Sequence, residues 1–344
     1  MTPLLHERWP QLRATLPHVR LGDGPTPVRR LAALPAGPGC DVWMKDDGAY
    51  GELYGGNKVR KLEWILPDVE ARGRTTIVTV GALATNHGLA TALYARSRGL
   101  RCVLVLVDQP VDDHVRRQLG RLERSGARIY RTHGTYRTYL AAPWIMLRHS
   151  ELRRMRPPYF LTVGGSSPVG SVGFVEAALE LASQVEQGAL AEPSHVVVAL
   201  GSGGTAAGLA AGLRLAGLRT RVVAVVVNDR MPVGAESVAK LANRTLDLLR
   251  RRGAPLPAIE ITPDDLDAEI GWLGEGYGHR TPEAEQARVS AAAREGLEVD
   301  PVYTAKALAG LLELRKRGAF GEGPVLYWHS HDTVGVPPGN APPG

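Results

Sequence analysis

The stretch His195-Val196-Val197-Val198-Ala199-Leu200-Gly201-Ser202-Gly203-Gly204-Thr205-Ala206-Ala207-Gly208 passes from an apolar run through a glycine turn into a helical pattern over residues 205–215. A short β-branched run without polar alternation is a strand covered on both faces, the situation of a parallel sheet. Working outward, residues 76–80, 102–107, 159–163, 222–227 and 325–329 read the same way. Helical patterns lie between them. Residues 172–187 carry Phe174, Ala177, Ala178, Leu181 and Val185 on one face, a period of about 3.6 residues. Residues 88–98, 114–125 and 282–295 also read as helices. Strands alternating with helices predict an α/β fold of mostly parallel sheets flanked by helices. Ligands in such sheets sit beyond the carboxyl ends of the strands, so the strand-to-loop junctions are where function is expected.

Composition narrows the class. The 344 residues leave room for about two domains. The balance of 44% hydrophobic and 22% charged residues is that of a soluble globular protein. The 40 Gly and 25 Pro follow no period, and no repeat of solenoid length is visible. No apolar run reaches the length of a membrane span, so no membrane partner is expected. The first 20 residues, with Glu7 and three arginines, lack the apolar core of a signal peptide. Cys40 and Cys102 are too few for a disulfide framework and suit a reducing cytoplasm. Cys102 opens an apolar run and is expected in the core. The net charge of +6 raises a nucleic-acid partner. Yet the basic residues are nearly all arginines scattered beside acids, and the 148–156 cluster lacks interleaved aromatics. No nucleic-acid partner is expected. Only six lysines are present, so few residues can do lysine chemistry.

Four constellations sit at strand ends. In Gly55-Gly56-Asn57-Lys58-Val59-Arg60-Lys61 two lysines follow a glycine pair; a lysine in a dry pocket becomes an amine nucleophile. The same residues also read as a solvated helix start, with Asn57 as cap and Lys61 on the surface. In Gly81-Ala82-Leu83-Ala84-Thr85-Asn86-His87-Gly88, Thr85 or Asn86 can cap the next helix, whose free N–H groups favour an anion. The turn at residues 201–205 is suited to a phosphate. Its Gly201-x-Gly203-x-x-Ala206 spacing also meets a relaxed dinucleotide fingerprint, with Asp229 as a distant ribose acceptor. Last come Gly276-Tyr277-Gly278, Asp300-Pro301-Val302-Tyr303 and His329-Ser330-His331-Asp332. The two histidines with Asp332 can be read as metal ligands, but two polar residues at a strand end with a turn-forming Asp is the stronger reading, and no metal is expected.

Together these segments resemble the D-cysteine desulfhydrase and 1-aminocyclopropane-1-carboxylate deaminase family, within the fold-type-II pyridoxal-phosphate enzymes. The most specific stretch runs from Lys45-Asp46-Asp47 to Lys61-Leu62-Glu63. Val163-Gly164-Gly165-Ser166-Ser167-Pro168, the 201–205 turn and Asp300-Pro301-Val302-Tyr303 add to it. The resemblance implies two open, twisted, mostly parallel sheets like those of the tryptophan synthase β chain. Its larger domain would comprise residues 1–60 and 169–336 and its smaller one residues 61–168, with a disordered tail at 337–344. It implies pyridoxal 5′-phosphate as cofactor, a small amino acid as substrate and, by analogy, a homodimer. Lys58 takes the Schiff-base position. Asn86 would bond the pyridine O3′, and Gly201, Ser202, Gly203, Gly204 and Thr205 would cradle the phosphate. Tyr277 takes the active-site tyrosine position, and Ser330 the hydroxyl facing the pyridine nitrogen. Thr85, Asn86 and His87 form the loop that receives the substrate carboxylate, with Ser166 assigned to the substrate as well.

The implied reaction removes the Cα proton and expels a β-substituent, giving a 2-oxo acid and ammonia. β-Replacement, racemisation and ACC ring opening are alternatives from the same start. A nicotinamide oxidoreductase and a non-catalytic binding protein are alternatives of other classes. Three departures leave the substrate open. Thr85 replaces a family serine, adding a methyl group and a stiff χ1. Gly276 stands where the deaminases carry a glutamate. His331 and Asp332 replace two glycines, which points to a changed substrate and offers His331, with Asp332, as an added acid/base pair.

Overall fold

A computed structural model of the chain describes residues 2–34, 41–151, 156–321 and 323–334. Cys40, part of the 148–156 cluster and the 337–344 tail lie outside the described residues. The chain opens with α1 (Leu4–Arg8), α2 (Leu12–Thr15), β1 (Val28–Arg30), β2 (Val42–Asp46) and α3 (Asn57–Ala71). Next come β3 (Thr76–Ala82), α4 (Asn86–Ser97), β4 (Arg101–Val107), α5 (Asp113–Arg124), β5 (Arg128–Arg131), α6 (Thr135–Arg148) and β6 (Tyr159–Leu161). Then follow α7 (Pro168–Glu186), β7 (His195–Leu200), α8 (Gly204–Ala216), β8 (Arg221–Val226), α9 (Ala235–Arg251) and β9 (Leu266–Glu269). The described part closes with α10 (Pro282–Glu295), α11 (Thr304–Lys316) and β10 (Val325–His329).

Two sheets result. One has the order β5-β4-β3-β6, all parallel. The other has the order β1-β2-β10-β7-β8-β9, parallel except for β1 against β2. From β7 the chain moves outward through β8 to β9, while β10 returns on the opposite side of β7. That reversal opens a crevice beyond the carboxyl ends of β7 and β10, where a ligand is expected. The apolar run at β7 is buried as read, with Val196, Val197 and Val198 at 0% exposure. Cys102 is buried too, and burial pushes its thiol up to about 12.

Some boundaries differ from the sequence reading. The expected strand at 159–163 ends at Leu161 and is an edge, with Phe160 52% exposed. α7 begins at Pro168, where Ser167 Oγ accepts the Gly170 N–H at 3.1 Å and a proline occupies the first turn. Four residues of this first turn carry too little apolar contrast to announce themselves.

Helix α3 is buried from Val59 to Val69 and is packed by α7. Gly173 of α7 permits this contact, since a Cβ there would lie 2.0 Å from the Arg60 carbonyl. Arg60 is itself buried and forms a charge cluster. Its Nη2 lies 2.8 Å from Asp47 and 3.0 Å from Glu180, and Lys45 Nζ lies 2.6 Å from Glu180. Thr26 and Gln184 supply further bonds, and the Trp328 indole donates to Asp47 at 2.7 Å. Removing one member leaves an uncompensated buried charge, a loss of about 3–5 kcal/mol. Arg60→Leu is therefore expected to lower unfolding stability by about that amount in chemical denaturation. Arg98→Ala, breaking the part-exposed pair with Glu70, is expected to cost under about 1 kcal/mol. Equal losses contradict the assignment.

Candidate active site

A cavity of about 340 Å³ opens at the crevice, a size at the lower end of small-molecule sites. Lys58, Thr85, Asn86, His87, Tyr277, Ser330, His331 and all five residues of the 201–205 turn line it. Ser166, expected at the substrate, is not in the lining. Its Oγ lies 2.8 Å from Ser202 Oγ and accepts the Gly204 N–H at 2.9 Å, so it supports the turn from behind.

Lys58 stands in the first turn of α3. Burial strips water from its ammonium and brings it down to about 8, with Asp300 pulling the other way. Part of the population is thus free amine near neutrality, as a nucleophile or base requires. Neither surface reading of this helix start holds. The cap is Gly56 at φ +81°, where a Cβ would lie 2.5 Å from the Ser330 carbonyl, so glycine is needed. Asn57 is the first helical residue, and its amide donates to Thr205 Oγ1 at 3.2 Å. Lys61 is only 2% exposed.

Lys61 is the residue that reading the sequence missed. It sits three positions after Lys58, hence on the same helix face. Its Nζ bonds the Gly164 carbonyl at 3.2 Å, and among the described residues it has no ion pair with a carboxylate. Burial, then the Lys58 charge, holds its ammonium well below the ordinary lysine value. A Cβ on Gly204 would lie 2.9 Å from that Nζ and 2.6 Å from Ser166 Oγ. The turn therefore brings backbone next to a buried lysine amine with no carboxylate against it among the described residues, so that an anion bound there would favour the charged form. The Gly203 cap offers α8 no side-chain acceptor; with the Gly204 N–H taken by Ser166, the N–H groups of Thr205 and Ala206 are left for a ligand. These residues fit the phosphate of the expected cofactor. Asp229, the acceptor that the dinucleotide alternative needs, is not in the cavity lining and takes the Tyr277 N–H on Oδ1 at 3.1 Å.

Asn86 is oriented by two donors. Tyr54 Oη and Gln118 Nε2 reach its Oδ1 at 2.9 and 2.8 Å. Its amide N–H₂ is what remains to offer the cavity, in keeping with a bond to a ring oxygen. Thr85 caps α4, its Oγ1 accepting the Gly88 N–H at 3.0 Å; the hydroxyl proton stays free to donate. His87 Nε2 meets Thr79 Oγ1 at 3.2 Å. Because Thr79 donates onward to the Leu161 carbonyl at 2.9 Å, the ring proton belongs on Nε2 and Nδ1 is the open acceptor. Burial, then Lys58 and Lys61, keep this ring neutral.

Tyr277 Oη lies 2.5 Å from Tyr303 Oη, and the Arg230 guanidinium is 5.4 Å from the Tyr277 ring centre. Burial raises both phenols, so both are neutral. The expected pairing of His331 with Asp332 is not made. Asp332 accepts the Gly55 N–H at 2.7 Å and pairs with Arg121 at 3.2 Å, while His331 faces Asp300. His329 spends both nitrogens, on Asp46 at 2.8 Å and the Glu298 carbonyl at 2.9 Å. Among the described residues no set of three or more His, Cys, Asp or Glu is arranged to hold a metal.

The Lys58 environment gives a direct test. Only the free amine reacts with acetic anhydride. Trace acetylation of the cofactor-free chain across pH, read by peptide mass, is expected to give Lys58 a midpoint at about 8. A midpoint at the ordinary 10.5 contradicts the dry environment.

Comparison with known proteins agrees with this geometry. The family model described as pyridoxal-phosphate dependent enzyme matches residues 19–331. A D-cysteine desulfhydrase of Salmonella paratyphi A is 34% identical over 326 residues, 93% of this chain and 94% of that protein. A Pyrococcus horikoshii protein, provisionally named a 1-aminocyclopropane-1-carboxylate deaminase, is 33% identical over 335 residues, 96% of this chain and 97% of its own. The crystal structure of an ACC deaminase homologue superposes with a TM-score of 0.77 at 31% identity, covering 98% of this chain and 97% of that one. With its lysine, its phosphate-fitting turn and this kinship, the chain belongs to the pyridoxal-phosphate dependent enzymes.

Proposed function

We propose that this chain is a lyase that removes the Cα proton of a small amino acid and expels its β-substituent, releasing a 2-oxo acid and ammonia. The observation that carries the reading is Lys58. It is a part-deprotonated amine in the cavity, on the same helix face as the buried, anion-free Lys61. Lys58, Asn86, Ser330 and the 201–205 turn would hold pyridoxal phosphate. When bound, that group supplies the electron sink that acidifies the Cα–H bond.

The chain's own residues do the rest. Lys58 Nζ takes the Cα proton, its value of about 8 suiting a base near neutral pH. The Thr85 hydroxyl and the α4 N-terminus offer donors to a carboxylate, and the neutral His87 adds no competing charge. Ser330 would present a hydroxyl rather than a carboxylate to the ring nitrogen, which favours prompt loss of a leaving group over transamination. Tyr277 and Tyr303 close one wall as a neutral pair.

Each sheet draws its strands from one of two segments, which supports residues 61–168 as a smaller unit and 1–60 plus 169–336 as a larger one. We place the enzyme in the cytoplasm as a homodimer, on its kinship and on a free, buried Cys102. No helix among the described residues is long and apolar enough to cross a membrane.

The test is pyruvate formation by the cofactor-loaded protein from D-cysteine, both β-chloroalanine enantiomers and O-acetylserine. Pyruvate from at least one is expected, and Lys58→Ala is expected to lower kcat by roughly 10²–10⁴-fold. No pyruvate from any of them contradicts the reading.

A further inference from the structure

His331 is the ring in the cavity that elimination leaves without a task. Its Nδ1 is buried without a hydrogen-bond partner and lies 3.9 Å from Asp300 Oδ2. With Nδ1 turned inward, Nε2 is the nitrogen left to meet a molecule in the cavity. Asp300 cannot swing away. It accepts the N–H groups of Val302, Tyr303 and Thr304 at 3.0, 2.6 and 3.0 Å and the Thr304 hydroxyl at 2.7 Å. Burial works to raise its carboxyl, but the His331 charge and these bonds hold it below the usual carboxylate value.

An imidazole backed by a fixed carboxylate takes a proton from an attacking group. The charge state of the ring agrees. Burial lowers the His331 imidazole below 6.5, with His329 and His114 acting the same way and Asp300 and Asp332 opposing. The ring is therefore a neutral base near pH 7. A base beside Lys58 is of no use to the group that leaves, which keeps or gains a proton; it is of use to a group that arrives.

Resting on the elimination reading, we propose that His331, backed by Asp300, is the base for a second, nucleophilic substrate carrying a proton, such as a thiol or an amine, and that the chain also performs β-replacement. The β-substituent X leaves with its bonding pair. The nucleophile forms a bond to the β-carbon while its proton passes to His331 Nε2, and Lys58 returns a proton to Cα. His331 then releases its proton to X⁻ or solvent. The sum is R–X plus H–Nu giving R–Nu plus H–X, with no oxidant or reductant.

The test uses cofactor-loaded protein with whichever β-chloroalanine enantiomer it consumes, together with 2-mercaptoethanol or azide. Azide has no proton to lose and needs no base. Wild type is expected to yield both adducts. His331→Gln is expected to lower the thiol-adduct-to-pyruvate ratio at least tenfold and to keep the azide ratio within about twofold. Imidazole added to His331→Gly is expected to restore the thiol ratio. Equal loss of both ratios assigns His331 a purely structural role and overturns the proposal. Pyruvate without any adduct overturns the proposal alone, and neither product overturns the elimination reading with it. A second readout needs no turnover. In the cofactor-free chain, Asp300→Asn is expected to move the His331 NMR titration further down, since the carboxylate is what holds it up; an unmoved titration contradicts the pairing.

Discussion

Lys45 and Arg60 meet Asp47 and Glu180 where water does not reach. Four buried charges are tolerated because their signs cancel and their polar atoms are almost all bonded. The cluster joins β2, α3 and α7 directly, and β10 through Trp328. It thereby fixes the rotation of α3 about its axis. Residues three apart share a helix face, while a residue between them points elsewhere. With Arg60 locked into the cluster, Lys58 and Lys61 are turned together toward the cavity. The chemistry depends on that rotation.

Around the cavity the electrostatic inventory is uneven. Two lysines and a helix N-terminus face it, and the carboxylate that reaches Lys58 most strongly is Asp300. The Lys58 charge lowers the proton affinity of Lys61, as a like charge in a dry site must, and a cofactor phosphate would complete the balance. Asp300 is tied down by the start of α11 and couples Lys58 on one side to His331 on the other. A residue that looks like a helix-starting Asp thus sets the charge state of two groups with different tasks.

The fold was legible wherever a run of residues had one environment. The β7 and β10 segments are found at the expected residues because their burial is nearly uniform, and α10 because Ala284, Ala287 and Ala291 line one buried face behind Pro282. β1, β2, β5 and β9 were not anticipated. All are short; β1, β5 and β9 are rich in Arg, Asp and Glu and partly exposed, and Lys45-Asp46 cuts the apolar run of β2, so no period stands out. At the site, local motifs announced Lys58, Asn86 and the 201–205 turn. Roles created by long-range contact were hidden. The burial of Lys61, the retreat of Ser166 behind the turn and the choice of Asp300 over Asp332 as the partner of His331 all depend on segments far apart in sequence. The three-residue spacing of Lys58 and Lys61 was the one signal that pointed to a shared face.

Lys58 is proposed as the covalent anchor of the cofactor, with the cofactor phosphate against the 201–205 turn. Borohydride reduction of the cofactor-loaded protein, followed by peptide mapping, tests it most directly. A pyridoxyl label on Lys58 alone is expected, with Lys61→Ala weakening cofactor retention without moving the label. A label on Lys61 or another lysine, or none, contradicts it.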